Sequence, residues 1–207
     1  MAIRLVATDL DGTLVDRERR VSPFTQAVVA RYAAKGVRFV FCTGRVSNEI
    51  DYVMGVLPDV EYAVMANGAY GLSLPARTRV FSNGLSMDMV RRIRAAFKGV
   101  DHMFEIMTGE GVFSEADKLP RLAEYGADYL ADVILNTRTV TADMDALLAR
   151  REAPVDKVNI FFRTPAVRDR LLEAAAALGT DVAHPEYSNI FGSVPKSRCK
   201  TSASPKI

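Results

Sequence analysis

The stretch LVATDLDGTLVD, residues 5–16, decides the fold and introduces the chemistry of this chain. Its apolar beginning predicts a buried strand, and that strand runs directly into two carboxylates, Asp9 and Asp11, followed by Gly12. Glycine permits the tight turn that would hold the two carboxylates close together. Taken alone, Asp-Gly after a strand is a common turn signal, so its meaning depends on the residues at the ends of the other strands.

Three short segments predict the strands of a covered parallel sheet. They are rich in β-branched and aromatic residues and largely lack the alternation of a half-exposed strand: residues 3–8, 37–42 and 61–66. Helical patterns separate them, and the first begins at Ser22 and Pro23, a favoured capping pair. This βαβαβ order predicts an α/β fold with a doubly wound parallel sheet and right-handed crossovers.

Polar residues stand at the carboxyl end of each predicted strand. They are Asp9 and Asp11 after the first strand, Thr43, Gly44 and Arg45 after the second, and Asn67 after the third. The carboxyl ends of parallel strands lie on one edge of the sheet, where such folds bind ligands. We therefore expect two acids, a hydroxyl group, an arginine and an amide to converge on one crevice.

These motifs resemble those of the haloacid dehalogenase-like phosphatases, and within them the Cof-type branch. DLDGTL at residues 9–14 is similar to that family's first motif, and FCTGR at residues 41–45 is similar to its second. The resemblance implies a HAD-like, Rossmannoid core with an inserted α/β cap domain. It also implies a substrate among sugar phosphates and other small phosphorylated metabolites.

The resemblance assigns a role to each motif residue. By it, Asp9 is the nucleophile that forms an aspartyl-phosphate, and Asp11 protonates the leaving alkoxide and later deprotonates the attacking water. A Mg²⁺ cofactor held at Asp9 and Asp11 would balance the charge of the phosphoryl group. The remaining implied contacts are Thr43, Gly44 and Lys196 to the phosphate and Arg45 and Asn67 to the substrate.

The spacing of the motifs predicts the domain organisation. Between Arg45 and the candidate Lys196 the chain is far longer than one crossover needs, so an inserted domain is expected there. We predict a core over residues 1–84, an α/β cap over 85–187, and a return to the core with a basic tail over 188–207. Predicted cap helices cover residues 86–97, 119–130 and 165–178, and predicted cap strands cover 102–107, 111–114 and 157–163.

The C-terminal region departs from the family pattern. Ser197 follows Lys196 where the family has glycine, and no acidic residue follows, so the Gly-Asp motif that supplies further metal ligands is missing. This predicts a chain truncated before the fourth motif, with an aberrant basic tail. It also predicts that the strand at residues 3–8 is an exposed apolar edge that favours self-association.

The composition narrows the function classes. An apolar content of 49% with 25% charged residues suits a soluble globular protein, and the N-terminus lacks the features of a signal peptide. We therefore expect a cytoplasmic location and no membrane association. Two cysteines provide neither a disulfide framework nor zinc-ligand spacing. Outside the tail the chain is slightly acidic, which argues against a nucleic-acid partner.

Several interpretations remain open at the level of sequence. Asn67 could serve only a turn, Arg45 could solvate a helix start, and His102 and His184 lack the spacing of a metal site or triad. Two functions also remain: a Mg²⁺-dependent phosphomonoester hydrolase, and a noncatalytic module, derived from such an enzyme, for phosphometabolite binding or assembly. The acid pair Asp9 and Asp11 favours descent from an enzyme, whereas the missing fourth motif favours the module.

Overall fold

The chain forms two compact units, Met1–Ser82 and Asn83–Ile207. The computed structural model describes residues 2–16 and 18–179 in full, and beyond them only the strand backbone at 182–183, 186–187 and 190–195. The two units divide between residues 82 and 83, whereas the sequence analysis placed the boundary between residues 84 and 85. No described helix has both the length and the apolar character needed to cross a membrane.

The first unit is built on one five-stranded sheet. Its strands are β1 (Leu5–Thr8), β2 (Arg38–Cys42), β3 (Tyr62–Met65), β4 (Tyr70–Ser73) and β5 (Thr78–Ser82), and its helices are α1 (Pro23–Ala33) and α2 (Asp51–Val56). The strands lie side by side in chain order. β1, β2 and β3 run parallel, as the sequence predicts, whereas β4 and β5 add an antiparallel hairpin that the sequence analysis did not predict.

Helix α1 begins where its sequence signals place it. The Ser22 hydroxyl accepts a hydrogen bond from the N–H of Thr25 at 3.1 Å, and Pro23 occupies the first helical position. After the helix, Gly36 adopts a φ of +81°, a conformation that other residues rarely take. The crossover from β1 to β2 is therefore fixed at both ends by local backbone preferences.

The strands of the first unit differ in burial. Phe41 in β2 is fully buried, whereas Leu5 in β1 is 55% exposed. Among the described residues, β1 pairs with β2 and has no second neighbour. The apolar edge predicted from the sequence is thus present in this part of the chain, and self-association through it stays a prediction.

The second unit contains a larger sheet with helices. Its elements are α3 (Met87–Ala96), β6 (His102–Thr108), β7 (Gly111–Glu115), α4 (Ala131–Thr137), β8 (Arg138–Thr141), α5 (Met144–Arg150), β9 (Lys157–Phe162), α6 (Pro165–Ala176), β10 (Val182–Ala183), β11 (Glu186–Tyr187) and β12 (Ile190–Pro195). The main strand order is β10-β12-β9-β6-β7-β8, and β11 pairs with β12. β7 and β8 are parallel, and the other pairs are antiparallel.

Two predictions for the second unit need correction. The helix expected over residues 119–130 forms two short 3-10 segments, Leu119–Tyr125 and Asp128–Leu130, because Gly126 adopts a left-handed φ of +62° between them. The expected return to the core at residue 188 is not seen in β12, which pairs antiparallel with β9 of the second unit. Lys196, directly after β12, lies outside the described residues.

Both faces of the second sheet are covered at β6 and β9. Every residue of β6 is buried. One face packs on the helices through a cluster that includes Phe97, Phe104, Ile106, Ile160 and Leu171. The other face lies under the 3-10 segments and α4 through Met103, Tyr125, Ile134 and Phe161. Polar side chains on the buried strands must therefore find partners inside the protein.

The second unit contains a buried ion pair between Glu105 and Arg138. The side chain of Glu105 is 0% exposed and that of Arg138 is 4% exposed, and Arg138 Nε lies 3.2 Å from Glu105 Oε1. The Ser114 hydroxyl also donates a hydrogen bond to Glu105, and Asn159 Nδ2 lies 3.5 Å from its second oxygen. The carboxylate is thus hydrogen-bonded on both oxygens, as burial of a charge requires.

We predict that Arg138→Ala lowers the free energy of unfolding by about 3–5 kcal/mol, because Glu105 would remain buried without its counter-charge. Arg138→Met combined with Glu105→Gln should recover most of that loss. Urea unfolding followed by circular dichroism measures both effects. Arg150→Ala, which removes an exposed charge of α5, is the control, and an equal loss in that variant would contradict the role of the buried pair.

Candidate active site

The turn after β1 presents the two motif carboxylates to one edge of the sheet. Leu10 is fully buried, and its carbonyl accepts hydrogen bonds from the N–H groups of Thr13, Leu14 and Val15 at 3.2, 3.0 and 2.9 Å. Asp9 and Asp11, on either side of Leu10, remain exposed. The buried leucine thus fixes the turn while both acids face solvent.

Glycine is required in this turn. Gly12 adopts a φ of +75°, and its N–H donates to the carbonyl of Val15 at 3.2 Å. A side chain at this position would meet no neighbour, so the requirement is one of backbone conformation. The first motif therefore needs glycine directly after its second acid.

Arg45 joins the second motif to the first. Its guanidinium donates through Nε to Asp11 Oδ2 at 2.8 Å and through Nη2 to Asp11 Oδ1 at 2.6 Å. The Arg45 side chain is 17% exposed and that of Asp11 is 53% exposed. The hydrogen bonds to Asp11 raise the pKa of Arg45, which remains a cation.

Two groups behind Arg45 hold its side chain in place. Nη1 donates to the carbonyl of Glu49 at 3.3 Å, and the guanidinium lies 5.7 Å from the centre of the Tyr52 ring. The Glu49 carboxylate in turn accepts the N–H of Val46 at 3.1 Å. The sequence analysis missed Glu49 and Tyr52, although Glu49, three residues after Val46, has capping-box spacing.

The ends of β2 and β3 are packed against each other. The Asn67 N–H donates to the carbonyl of Thr43 at 3.0 Å, and the Thr43 hydroxyl accepts the N–H of Arg45 at 3.2 Å. A Cβ added to Gly44 would lie 3.0 Å from Asn67 Oδ1. Glycine at position 44 therefore permits the close approach of Asn67, whose own φ of +59° is typical of a turn.

The site brings together six of the seven residues singled out from the sequence: Asp9, Asp11, Thr43, Gly44, Arg45 and Asn67. Arg45 does not merely solvate a helix start, because it is bonded to Asp11. Asn67 serves a turn, and its side chain also lies beside Gly44. Lys196 lies outside the described residues, as does His184, and His102 lies in β6 of the second unit.

The electrostatic environment of Asp9 opposes its ionisation. Although the residue reaches solvent, partial burial of its carboxyl group is the largest cause that raises the pKa of Asp9, and the charge of Asp11 raises it further. The N–H of Leu10 and the charge of Arg45 lower it in part. A cation bound at Asp9 would relieve both unfavourable contributions.

The residues of the turn fit Mg²⁺ in type. Mg²⁺ is commonly held by one or two carboxylates, with waters and phosphate oxygens completing its octahedron, and Asp9 and Asp11 provide such oxygens. Asp9 is the available ligand in this conformation, because both carboxylate oxygens of Asp11 accept hydrogen bonds from Arg45. Among the described residues, no group of three or more His, Cys, Asp or Glu side chains is placed to hold a metal ion.

Comparison with known proteins identifies the family. Residues 6–177 match the family described as haloacid dehalogenase-like hydrolase. A putative phosphatase of Buchnera aphidicola subsp. Baizongia pistaciae is 35% identical over 65 residues, which are 31% of this chain and 24% of that relative. An HMP-PP phosphatase of Shigella flexneri is 34% identical over 65 residues, which again are 31% of this chain and 24% of that relative. The matches thus cover about a quarter of the length of these relatives.

Solved structures share the fold. A haloacid dehalogenase-like hydrolase from Bacteroides thetaiotaomicron has a TM-score of 0.78 at 18% identity. The match covers 95% of this chain and 73% of that hydrolase. A haloacid dehalogenase-like hydrolase from B. subtilis has a TM-score of 0.78 at 16% identity, and the match covers 96% of this chain and 75% of that hydrolase. A subclass IIB sugar phosphatase of the HAD superfamily has a TM-score of 0.69 at 15% identity, and the match covers 94% of this chain and 71% of that phosphatase. The predicted α/β fold class and family resemblance are confirmed.

We predict opposite effects of the two neighbouring charges on the pKa of Asp9. Asp11→Asn should lower this pKa because a negative charge is removed, and Arg45→Gln should raise it because a positive charge is removed. Carbon-13 NMR of the aspartate carboxyl groups measures both shifts. Asp16, whose pKa is lowered by its hydrogen bonds to Arg20, is the internal reference. Shifts of the same sign in both variants would contradict this account.

Proposed function

We propose that this chain, which belongs to the haloacid dehalogenase-like hydrolase family, hydrolyses the phosphomonoester of a small metabolite with Mg²⁺ as cofactor. The observation that carries the proposal is the convergence of Asp9, Asp11, Thr43 and Arg45 at the carboxyl edge of three parallel strands. Sugar phosphates are the substrate class we favour, on the resemblance to capped members of the family. Relatives named as phosphatases support the reaction type.

In the proposed reaction Asp9 attacks phosphorus. A carboxylate oxygen of Asp9 forms a bond to phosphorus while the bond to the substrate oxygen breaks, and a proton from Asp11 neutralises the leaving alkoxide. The Asp11 carboxylate then removes a proton from water, whose oxygen attacks phosphorus and releases phosphate from Asp9. The exposure of both acids beside the buried Leu10 suits this division of work.

The end of β2 would bind the phosphate. The Thr43 hydroxyl can donate its proton to a phosphate oxygen because its oxygen accepts the N–H of Arg45 and leaves the O–H available. By the same resemblance Gly44 would contribute its backbone N–H to the phosphate, and the side chain of Asn67 lies directly beside it. When bound, Mg²⁺ would supply positive charge that stabilises the transferring phosphoryl group. Lys196 would add a further positive charge by the same resemblance.

Arg45 must change partners during this reaction. Both oxygens of Asp11 accept hydrogen bonds from Arg45, so neither is free to contact a leaving group in this arrangement. A phosphate dianion is a stronger competitor for the guanidinium than an exposed carboxylate, because it carries more charge and can also bind in a bidentate manner. We therefore infer that substrate draws Arg45 away and leaves Asp11 able to carry a proton.

We predict that Asp9→Asn lowers hydrolysis of p-nitrophenyl phosphate at least about a thousandfold in the presence of Mg²⁺, because the amide is not a nucleophile. Chelation of Mg²⁺ should have a comparable effect on the unaltered chain. In the unaltered chain activity should also fall as pH falls through the raised pKa of Asp9, since only the carboxylate attacks. Release of p-nitrophenolate measures all three effects.

The control for the loss of Asp9 is Asp59→Asn, which removes an exposed carboxylate elsewhere in the first unit and should leave turnover unchanged. Full activity in Asp9→Asn would place the nucleophile on another residue. Trapping of phosphate on the chain by rapid acid denaturation, followed by peptide mapping to Asp9, is an independent test of the covalent step.

A second prediction concerns Arg45. Arg45→Ala should raise the KM for the aryl phosphate about tenfold, because the bidentate contact to the phosphate is lost. Arg45→Lys should restore only part of this affinity, since an ammonium group cannot form the fork. Steady-state kinetics measures both variants, with Arg31→Ala in α1 as the charge-matched control. An unchanged KM in Arg45→Ala would show that Arg45 serves Asp11 alone.

One observation favours the noncatalytic module as a second candidate. Asp11, the proposed acid and base, is held by Arg45 in the described conformation, and a phosphate contact at Thr43 would be preserved without turnover. In that case p-nitrophenyl phosphate would bind with an affinity that depends on Arg45, and no hydrolysis above that of Asp9→Asn would occur. Measurements of aryl phosphate hydrolysis in Asp9→Asn and of binding in Arg45→Ala therefore distinguish the two functions.

A further inference from the structure

The second unit contains an open pocket that the proposed chemistry does not use. It has a volume of about 430 Å³ and lies between helix α3, the loop that leads into β6, the end of β7 and helix α5. Part of its wall is apolar, with Phe97, Val100 and Leu148. Six charged side chains complete the lining: Arg91, Arg94, Lys98, Lys118, Glu115 and Asp145.

Arg94 neutralises both acids of the pocket. Its Nη2 lies 2.9 Å from Glu115 Oε1, and its Nε lies 2.8 Å from Asp145 Oδ1. Lys118 pairs with Asp101 and Asp117, at 3.2 and 3.4 Å. One guanidinium thus holds two carboxylates, which leaves the positive charges of the lining in excess.

Arg91 and Lys98 supply that excess charge. The guanidinium of Arg91 donates to two neutral acceptors, the carbonyls of Leu148 at 3.1 Å and Arg151 at 2.9 Å, which orient it without cancelling its charge. Lys98 is exposed, and its charge adds a small contribution to the hydrogen bond from Arg94 that lowers the pKa of Asp145. In the described part of the chain, neither Arg91 nor Lys98 makes an ion pair within 4.0 Å.

His102 adds a hydrogen-bond acceptor at the wall of the pocket. Its Nδ1 lies 2.7 Å from the carbonyl of Val100, so Nδ1 carries the proton and Nε2 is left with a lone pair. The Nε2 atom is buried and has no hydrogen-bond partner among the described residues. Burial lowers the pKa of His102 to about 4, so the ring is neutral at pH 7. Nε2 is closed off from solvent, so a ligand donor reaches it only when the adjoining wall of the pocket shifts, and the buried acceptor gains a partner when that happens.

We propose that this pocket binds a small organic phosphate or related oxyanion that also bears a hydroxyl group. The anionic end faces Arg91 and Lys98, where positive charge is in excess, and the hydroxyl group donates to His102 Nε2. The apolar wall contacts the carbon skeleton between them. This ligand site is separate from the residues that the proposed hydrolysis uses, all of which belong to the first motif, the ends of β2 and β3, and Lys196.

The experiment uses 2-hydroxyethylphosphonate as the probe, because its carbon–phosphorus bond resists the proposed hydrolysis. The full chain has two histidines, so the ring nitrogen signals of His102 can be assigned with a His102→Gln variant. We expect saturable shifts of these signals on titration. Ethylphosphonate, which lacks the hydroxyl group, should bind roughly three- to tenfold more weakly, in line with the loss of one hydrogen bond.

Two adjacent arginines of α3 provide a matched pair of variants. Arg91→Gln should weaken binding roughly three- to tenfold, as expected for loss of a partly exposed charge contact, and Lys98→Gln should do the same. Arg92→Gln removes the same charge from the same helix, and Arg92 also donates to a carbonyl, that of Leu178 at 3.2 Å, but does not line the pocket. This control should bind as the unaltered chain does.

The outcomes separate the pocket from other sites. If the His102 signals do not move, or if Arg91→Gln and Lys98→Gln bind as Arg92→Gln does, the proposal is wrong. Binding that is lost in Arg45→Ala but kept in Arg91→Gln would assign the phosphonate to the first unit and would also overturn it. Circular dichroism of each variant identifies any that fails to fold. If Arg91→Gln fails to fold, binding to Lys98→Gln, which changes an exposed residue, tests the proposal.

Discussion

Burial of Leu10 is the constraint on which the candidate active site depends. Its side chain is withdrawn completely from solvent, and its carbonyl collects three backbone N–H groups, so the turn after β1 has one conformation. Asp9 and Asp11, on either side of this buried side chain, remain exposed. The apolar residue between the acids is thus what makes the acids available.

That arrangement has an energetic cost. The pKa of Asp9 is raised in the folded state, so the folded chain binds this proton more tightly than the unfolded chain does. Stability therefore decreases as pH rises from the ordinary pKa of Asp9 through its folded-state pKa, and at neutral pH the ionised Asp9 opposes folding. Raised pKa values of this kind are common at functional sites, and the nucleophilic role proposed for Asp9 is consistent with one, because a bound cation would offset the cost.

The features predicted correctly from the sequence are those that local sequence preferences determine. The parallel strands, the start of α1 and the residues at the strand ends depend on β-branched runs, a Ser-Pro cap and Asp-Gly, and all were located correctly. The hairpin β4–β5 was missed because its turn carries no Asn-Gly or Asp-Gly signal. The pairing of β12 with β9 was missed because it is a contact between distant segments. The bond between Arg45 and Asp11 likewise joins residues that are 34 positions apart.

Two arginine–carboxylate pairs show how burial separates structure from function. Arg138 and Glu105 lie inside the second unit with almost no exposure, where removal of either partner would leave a charge without compensation. Arg45 and Asp11 approach more closely, at 2.6 and 2.8 Å against 3.2 Å, but more than half of the Asp11 side chain is exposed, so water can replace the guanidinium at low cost. The first pair is fixed by its surroundings, whereas the second can exchange partners. The proposed reaction requires Arg45 to exchange Asp11 for the substrate phosphate, and the exposure of Asp11 allows this exchange.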